Sequence, residues 1–119
     1  MLLKIGAWIG AICVFLAAFA KHAMESKLSL SQLETFQTAI HYMQWHSIAI
    51  ILVVILNKTN LTKDNKSGLF FVIGIIFFSG SLFLYLITTF KPLVYITPIG
   101  GLLFIIGWIT LAFSIKPAK

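Results

Sequence analysis

Charge is what this chain has least of: 10% of its residues are charged, where a soluble domain carries about a quarter. That deficit excludes an ordinary water-soluble fold. Only Glu25, Glu34 and Asp64 are acidic, and all three fall in polar breaks between apolar runs. No carboxylate is therefore expected inside a membrane to partner a histidine or bind a coupling cation, which argues against a proton-coupled transporter. The nine basic residues are all lysines. They stand singly or in small groups and do not cluster on one face, so nucleic-acid binding is not expected. A single cysteine, Cys13, closes no disulfide and builds no multi-cysteine metal site within one chain, and bulky Ile12 before it disfavours lipid modification. His-Glu-x-x-His, Gly-x-Ser-x-Gly, Cys-x-x-Cys and the phosphate-binding glycine loop are also missing. Neither an enzyme, a metal site nor a cofactor is expected.

Hydrophobic residues make up 60% of the 119, with a mean hydropathy of +1.02. They gather in four segments, Ile5 to Ala20, about Gln37 to Leu56, Gly68 to Phe90, and Leu93 to Ile115. With their flanks, these supply the roughly 20 residues that each crossing of a ~30 Å hydrocarbon core requires. The sequence predicts an all-α membrane protein, one domain over residues 1–119, with four transmembrane helices (about 3–21, 32–57, 67–90 and 93–116) in an antiparallel bundle. No room remains for a soluble catalytic module. Segment one mimics a signal peptide through Lys4, its apolar run and Ala18-Phe19-Ala20. Gly6 and Gly10, however, form a G-x-x-x-G pair suited to close helix packing, and the segment is read as helix one.

Lysine counting over the short loops sets the orientation. Lys4, Lys58, Lys63, Lys66, Lys116 and Lys119 fall on one side, against Lys21, Lys27 and Lys91 on the other, which predicts both termini in the cytoplasm. The glycosylation-like triplets starting at Asn57, Asn60 and Asn65 then lie in a cytoplasmic loop, as accidents of its composition. Ser31-Gln32-Leu33-Glu34 reads as a capping box that starts helix two. Lys91-Pro92 reads as the whole turn between helices three and four, Pro92 barring helix continuation.

Depth singles out a few polar residues. His46 lies roughly 15 Å from the end of helix two at Leu56, near the middle of the core, where a histidine must be paired or wetted. Ser79-Gly80-Ser81 on helix three reaches a similar depth, roughly 17 to 20 Å from Gly68, and is the expected partner of His46, with a backbone carbonyl as another. Tyr85 and Thr88 extend that polar line. Helix two carries two lines, Gln37-His41-Gln44 and Thr38-Tyr42-His46. His41 and His46 are about 140° apart around the helix, so the pair does not suit one ion. His22 and His41 are expected at the outer boundary. Trp8, Trp45, Tyr95 and Trp108 are expected to anchor at the interfaces or pack between helices. On helix four, Gly100, Gly107 and Ser114 recur at every seventh position, a narrow face for close contact. Pro98-Ile99-Gly100-Gly101 suggests a kink or local unwinding.

These residues carry a resemblance. The stretches Ala17-Ala18-Phe19-Ala20-Lys21-His22-Ala23, Thr35-Phe36-Gln37-Thr38-Ala39-Ile40-His41-Tyr42-Met43-Gln44-Trp45-His46-Ser47, Phe78-Ser79-Gly80-Ser81-Leu82, and Thr97-Pro98-Ile99-Gly100-Gly101 with Gly107-Trp108 look like those of the small multi-pass membrane proteins known as domain of unknown function 423. That family includes the YwdK/YgdD type of bacteria and the animal transmembrane protein 256. The resemblance runs over nearly the whole chain in the same order. It implies four membrane-spanning helices in a bacterial cell membrane, or in a mitochondrial inner membrane if the source is eukaryotic. The family's A-F-G-A-H-A pattern falls on Ala18, Phe19, His22 and Ala23, with Ala20 and Lys21 in place of its glycine and alanine. Its Y-Q-x-x-H pattern falls on Tyr42 and His46, with Met43 at the glutamine position and Gln44 one place late. No established reaction comes with it.

Two classes of function follow, and a third is less economical. One is a non-enzymatic accessory or scaffold protein contributing to membrane homeostasis, associated with itself or with another membrane protein. There, a centre of His46, Ser79, Ser81, Tyr42, Tyr85 and Gln44 fixes helix register, and Gly6, Gly10, Gly80, Gly100, Gly101 and Gly107 give close packing. The other is a module in which that centre holds haem, a metal ion, a quinone or a lipid headgroup between helices. A small channel or transporter would require an oligomer, since four short packed helices enclose little space.

Overall fold

A computed structural model describes residues 1–64 and 66–117. The Asn65-Lys66-Ser67 triplet and the Lys119 charge therefore lie wholly or partly outside the described residues. Four helices are long and apolar enough to cross a membrane: α1 (Leu2–Met24), α2 (Leu30–Lys58), α3 (Ser67–Thr88) and α4 (Lys91–Ser114). Among the described residues no β-strand forms, only an isolated bridge between Thr62 and Ile115. The protein is all-α. Both described ends and the α2–α3 loop share one end of the array, here the termini end. The α1–α2 connection and the α3–α4 turn share the other, the hairpin end.

Local chemistry explains each boundary. Helix α2 starts two residues earlier than Ser31 would place it, because the capping box is Ser29 with Gln32: Ser29 Oγ accepts from Gln32 N–H (3.2 Å) and Gln32 Oε1 accepts from Ser29 N–H (2.9 Å). Glu34 thus stands on the first turns of α2 and not in a loop. At 29 residues, α2 runs about 43 Å and overshoots a ~30 Å core, which keeps that carboxylate outside the hydrocarbon. The α3–α4 turn consists of Thr89, left-handed at φ 54°, and Phe90; Lys91 and Pro92 already begin a 3₁₀ turn, Lys91–Tyr95, that leads into α4. Proline here starts a helix, since its missing N–H belongs to the unpaired first turn. Pro98 does so again: the α-helical part of α4 opens at Thr97 and continues regularly through Gly100 and Gly101. The irregular backbone precedes Pro98 and is not centred on it.

Two π turns interrupt the other helices, Ala20–Met24 at the end of α1 and Ile76–Gly80 within α3. The second gives the Ser79-Gly80 step its geometry. Gly100 sits directly against the backbone of Phe77 and Phe78 in that turn, so close that a Cβ would overlap Phe78 N and stand 2.8 Å from Phe77 C. Above and below this crossing the helices exchange rings. Phe104 of α4 covers Gly74 of α3, and Phe71 of α3 covers Gly107 of α4; a Cβ at either glycine would come within 2.6 Å of ring carbon. At the other side of the array, Gly6 of α1 lies on Ser47, Ile50 and Ile51 of α2, and Gly10 on Ser47 Oγ. Gly80 and Gly101 differ from the expectation: a Cβ at either would meet nothing nearer than 3.8 Å, Gly101 having ordinary van der Waals room against the Phe78 ring and Gly80 meeting only Ile75 O of its own helix. Gly74 takes a close-packing role that the sequence reading had not given it.

Packing runs in chain order, α1 on α2, α2 on α3 and α3 on α4. The core consists of Phe71, Ile50, Cys13, Val53, Phe104, Ile75 and their neighbours. At the termini end the loop is held to α4 by polar contacts. Thr62 Oγ lies 2.9 Å from Ser114 O and 2.7 Å from Ser114 Oγ, and Asp64 Oδ1 accepts from the N–H groups of Lys66 and Ser67 at 2.8 Å, capping α3.

Gly100→Ala should destabilise the protein by about 1–3 kcal/mol, the usual cost of forcing a group into a filled contact, whereas Gly101→Ala should change stability by less than about 0.5 kcal/mol. Thermal unfolding in detergent, followed by far-ultraviolet circular dichroism, checks both.

Candidate functional site

A buried polar residue in a membrane helix must have both its hydrogen-bonding atoms and its shape satisfied. His46 is 5% exposed and meets that demand through α2 and α4. Its Nδ1 lies 2.7 Å from Tyr42 O, one turn earlier in α2, and Trp108 Nε1 donates to its Nε2 at 3.0 Å. Indole nitrogen is a donor only. Nε2 must therefore carry the lone pair and Nδ1 the proton, which is donated to the carbonyl. The ring is the neutral Nδ1–H tautomer with both nitrogens engaged.

Aromatic faces complete the enclosure. Phe104 stacks on the imidazole with centroids 3.6 Å apart and planes 10° from parallel, Phe71 lies 5.3 Å away, and Trp108 meets it edge-on at 5.9 Å. Phe71 and Phe104 are the two rings seated on glycines of the opposite helix, so the α3–α4 crossing sets the walls of the His46 site. Tyr42, 47% exposed, covers one side, its ring 4.7 Å from Phe78. The cluster forms the floor of an open cleft between α2 and α4, whose backbones stay apart while their aromatic side chains meet.

The serines expected to partner His46 go elsewhere. Ser79 Oγ donates to Ala39 O at 2.7 Å, joining α3 to α2, and Ser81 Oγ contacts Phe78 O (2.9 Å) and Thr97 Oγ (2.5 Å), joining α3 to the start of α4. Both lie on the hairpin-end side of the imidazole: Ser79 meets α2 at Ala39, seven residues before His46, and the α3 residue beside the imidazole is Phe71. Tyr85 is half-buried one turn beyond Ser81 and outside the ring cluster. Gln44 is exposed on the other line of α2, together with Gln37 and His41; His22 is exposed in the π turn of α1. Of the six residues expected in one centre, Tyr42 and His46 come together, and Trp108 supplies what the serines do not. Trp108 is eleven residues into the α-helical part of α4, about 16 Å, a depth that matches His46 and could have marked it. Trp8, Trp45 and Tyr95 are exposed.

Separate from this cluster, a groove of about 380 Å³ opens at the hairpin end between α1 and α2, with Gln37, His41 and Gln44 along one wall and Lys21 and Glu25 at its mouth.

A family model for a protein of unknown function, DUF423, matches residues 16–101. The chain belongs to this family. It is 36% identical over 110 residues to the UPF0382 membrane protein SH2409 of Staphylococcus haemolyticus, covering 89% of this chain and 90% of that one. It is 39% identical over 114 residues to a UPF0382 membrane protein of Haemophilus influenzae, covering 92% and 89%. Against UPF0382 membrane protein YwdK of Bacillus subtilis it is 32% identical over 112 residues, covering 92% and 91%. No solved structure matches it significantly. Membership makes the chain a small membrane protein and assigns it no reaction.

Trp108→Phe should cost about 1–3 kcal/mol, since it leaves the buried Nε2 without a partner. In a His46→Leu background the same change should cost at least about 1 kcal/mol less. A double-mutant cycle on unfolding in detergent measures that coupling.

Proposed function

We propose that this chain is a non-enzymatic accessory or scaffold protein of the bacterial cell membrane that contributes to membrane homeostasis, a multi-pass protein with both termini in the cytoplasm. The observation that supports the reading is the saturation of His46. An imidazole that serves a metal or haem needs a free nitrogen lone pair, and one that relays protons needs an open path. Here the lone pair accepts from Trp108, the N–H donates to Tyr42, and a ring covers one face. Such a residue fixes how α2 and α4 meet. A pore reading lacks support for a related reason: Phe71, Ile50 and Ser79 fill the space between the helices.

The test compares wild type with His46→Phe by native mass spectrometry and absorption spectroscopy of protein released gently from membranes. The expected outcome is no haem, metal or quinone bound in stoichiometric amount to wild type and lost from the variant, together with a lowered unfolding temperature. An adduct that disappears with His46 would replace the scaffold reading with the ligand-binding one. Orientation is checked by cysteines introduced singly at Glu25 and Lys66 in a Cys13→Ala background. A membrane-impermeant maleimide applied to intact cells should label the first and spare the second; the reverse pattern overturns the lysine-based topology.

A further inference from the structure

The polar residues that remain open are those of the hairpin-end groove. Gln37, His41 and Gln44 succeed one another on α2 at spacings of four and three, and all three are exposed. Gln44 is only two residues, about 3 Å along the axis, from the buried His46. His41 is about 7.5 Å from it and Gln37 about 13 Å, so the line climbs from the membrane interior toward the hairpin-end boundary. Amide and imidazole groups left against acyl chains would forfeit their hydrogen bonds, at substantial cost. Something polar must cover them.

The shape and charge of the groove indicate what. Ala17 and Ala20 on α1 leave the space open, and the mouth presents charges of both signs, Lys21 and Glu25. Below the mouth stand groups able to donate hydrogen bonds, the Gln37 and Gln44 amides and the His41 imidazole, with Leu33 and Ile40 as apolar wall. From boundary to interior the order is thus a cation with an anion, then donors beside an apolar surface. A glycerophospholipid with an amine headgroup presents the complement: phosphate and ammonium outermost, acceptor-only ester carbonyls beneath, acyl chains below.

We propose that the groove between α1 and α2 is a binding site for one phospholipid of the phosphatidylethanolamine class. Lys21 pairs with the phosphate and Glu25 with the ammonium, while Gln37, His41 and Gln44 donate to the ester carbonyls. A primary ammonium donates hydrogen bonds to Glu25 where a choline cannot. A purely anionic headgroup would place negative charge near Glu25. The site therefore selects ethanolamine over choline and glycerol headgroups. It is separate from the His46 cluster and does not depend on the scaffold reading.

Delipidated protein in detergent is titrated with dioleoyl-phosphatidylethanolamine, and in parallel with the phosphatidylcholine and phosphatidylglycerol of the same chains and with water-soluble glycerophosphoethanolamine. Bound mass is counted by native mass spectrometry. One ethanolamine lipid per chain is expected, with affinity reduced roughly tenfold for the other two lipids, as for loss of one charge-assisted hydrogen bond. The chain-less headgroup should bind far more weakly than the intact lipid; equal binding would make this a soluble phosphate-ester site and overturn the lipid assignment. Lys21→Gln and the pair His41→Leu with Gln44→Leu should each weaken binding at least roughly tenfold, and the leucines, being apolar, remain compatible with a membrane helix. His46→Phe should leave the affinity of the folded fraction unchanged. Equal affinity for all three lipids would overturn the proposal. So would a dimer that forms without lipid and is lost in the His41→Leu, Gln44→Leu variant, since a second copy would then be what covers the groove.

Discussion

Inside a bilayer no water is available to complete a hydrogen bond, so a polar side chain there finds its partners within the protein or exacts several kilocalories per mole. Much of this structure answers that demand at His46. Meeting it requires an acceptor for one ring nitrogen and a donor for the other, at a depth where backbone N–H groups are already used by the helices. The Tyr42 carbonyl, accepting one turn along the same helix, satisfies the first; an indole, which can only donate, satisfies the second. The pairing fixes protonation state, tautomer and the approach of α2 to α4 at once.

That pairing holds only if Trp108 and the stacked rings stand where they do, and the glycines arrange this. Phe104 reaches His46 because it lies over Gly74, and Phe71 because it lies over Gly107. The separation of α3 and α4 is set in turn by Gly100 against the π turn at Phe77 and Phe78. That same turn carries Ser79, whose hydroxyl bonds across to Ala39 O on α2. Small residues let helix backbones approach where the hydrophobic effect cannot drive them together, and here the approach also aims the rings that enclose a polar group. A single methyl at Gly100 thus bears on the imidazole environment through α3, although Gly100 touches neither His46 nor Trp108.

The fold was legible because membrane spans are written in length and hydropathy: four apolar runs gave four helices. The seven-residue recurrence of Gly100 and Gly107 marked the close face of α4. Depth, counted in residues along each helix, singled out His46 as needing partners. What the sequence hid was direction. A π turn shifts every following side chain around the helix, and nothing in Ile76-Phe77-Phe78-Ser79-Gly80 announces one. Depth counted from Gly68 also set the serines level with His46, whereas they lie nearer the hairpin end, against Ala39 and Thr97, and Phe71 is the α3 residue beside the imidazole. Trp108 was hidden differently: tryptophan in a membrane protein reads first as an interfacial anchor, and only its depth separates it from that role. The two capping patterns, Ser29 with Gln32 and Ser31 with Glu34, differ by two residues and compete locally. The backbone resolves them in favour of the first.

Helix α2 bears two polar lines about 130° apart, and the contrast between them organises the molecule. Tyr42 and His46 face α3 and α4, where His46 is closed off by the chain's own groups. Gln37, His41 and Gln44 face the α1 side, where α1 offers Ala17 and Ala20 and withholds partners. Had α1 carried large side chains at those positions, the second line would be covered as the first is. The small residues leave the groove open beside polar groups that hydrocarbon alone would penalise. Bilayer physics thus gives the two lines opposite roles: the closed one holds the helices in place, and the open one is completed from outside the chain.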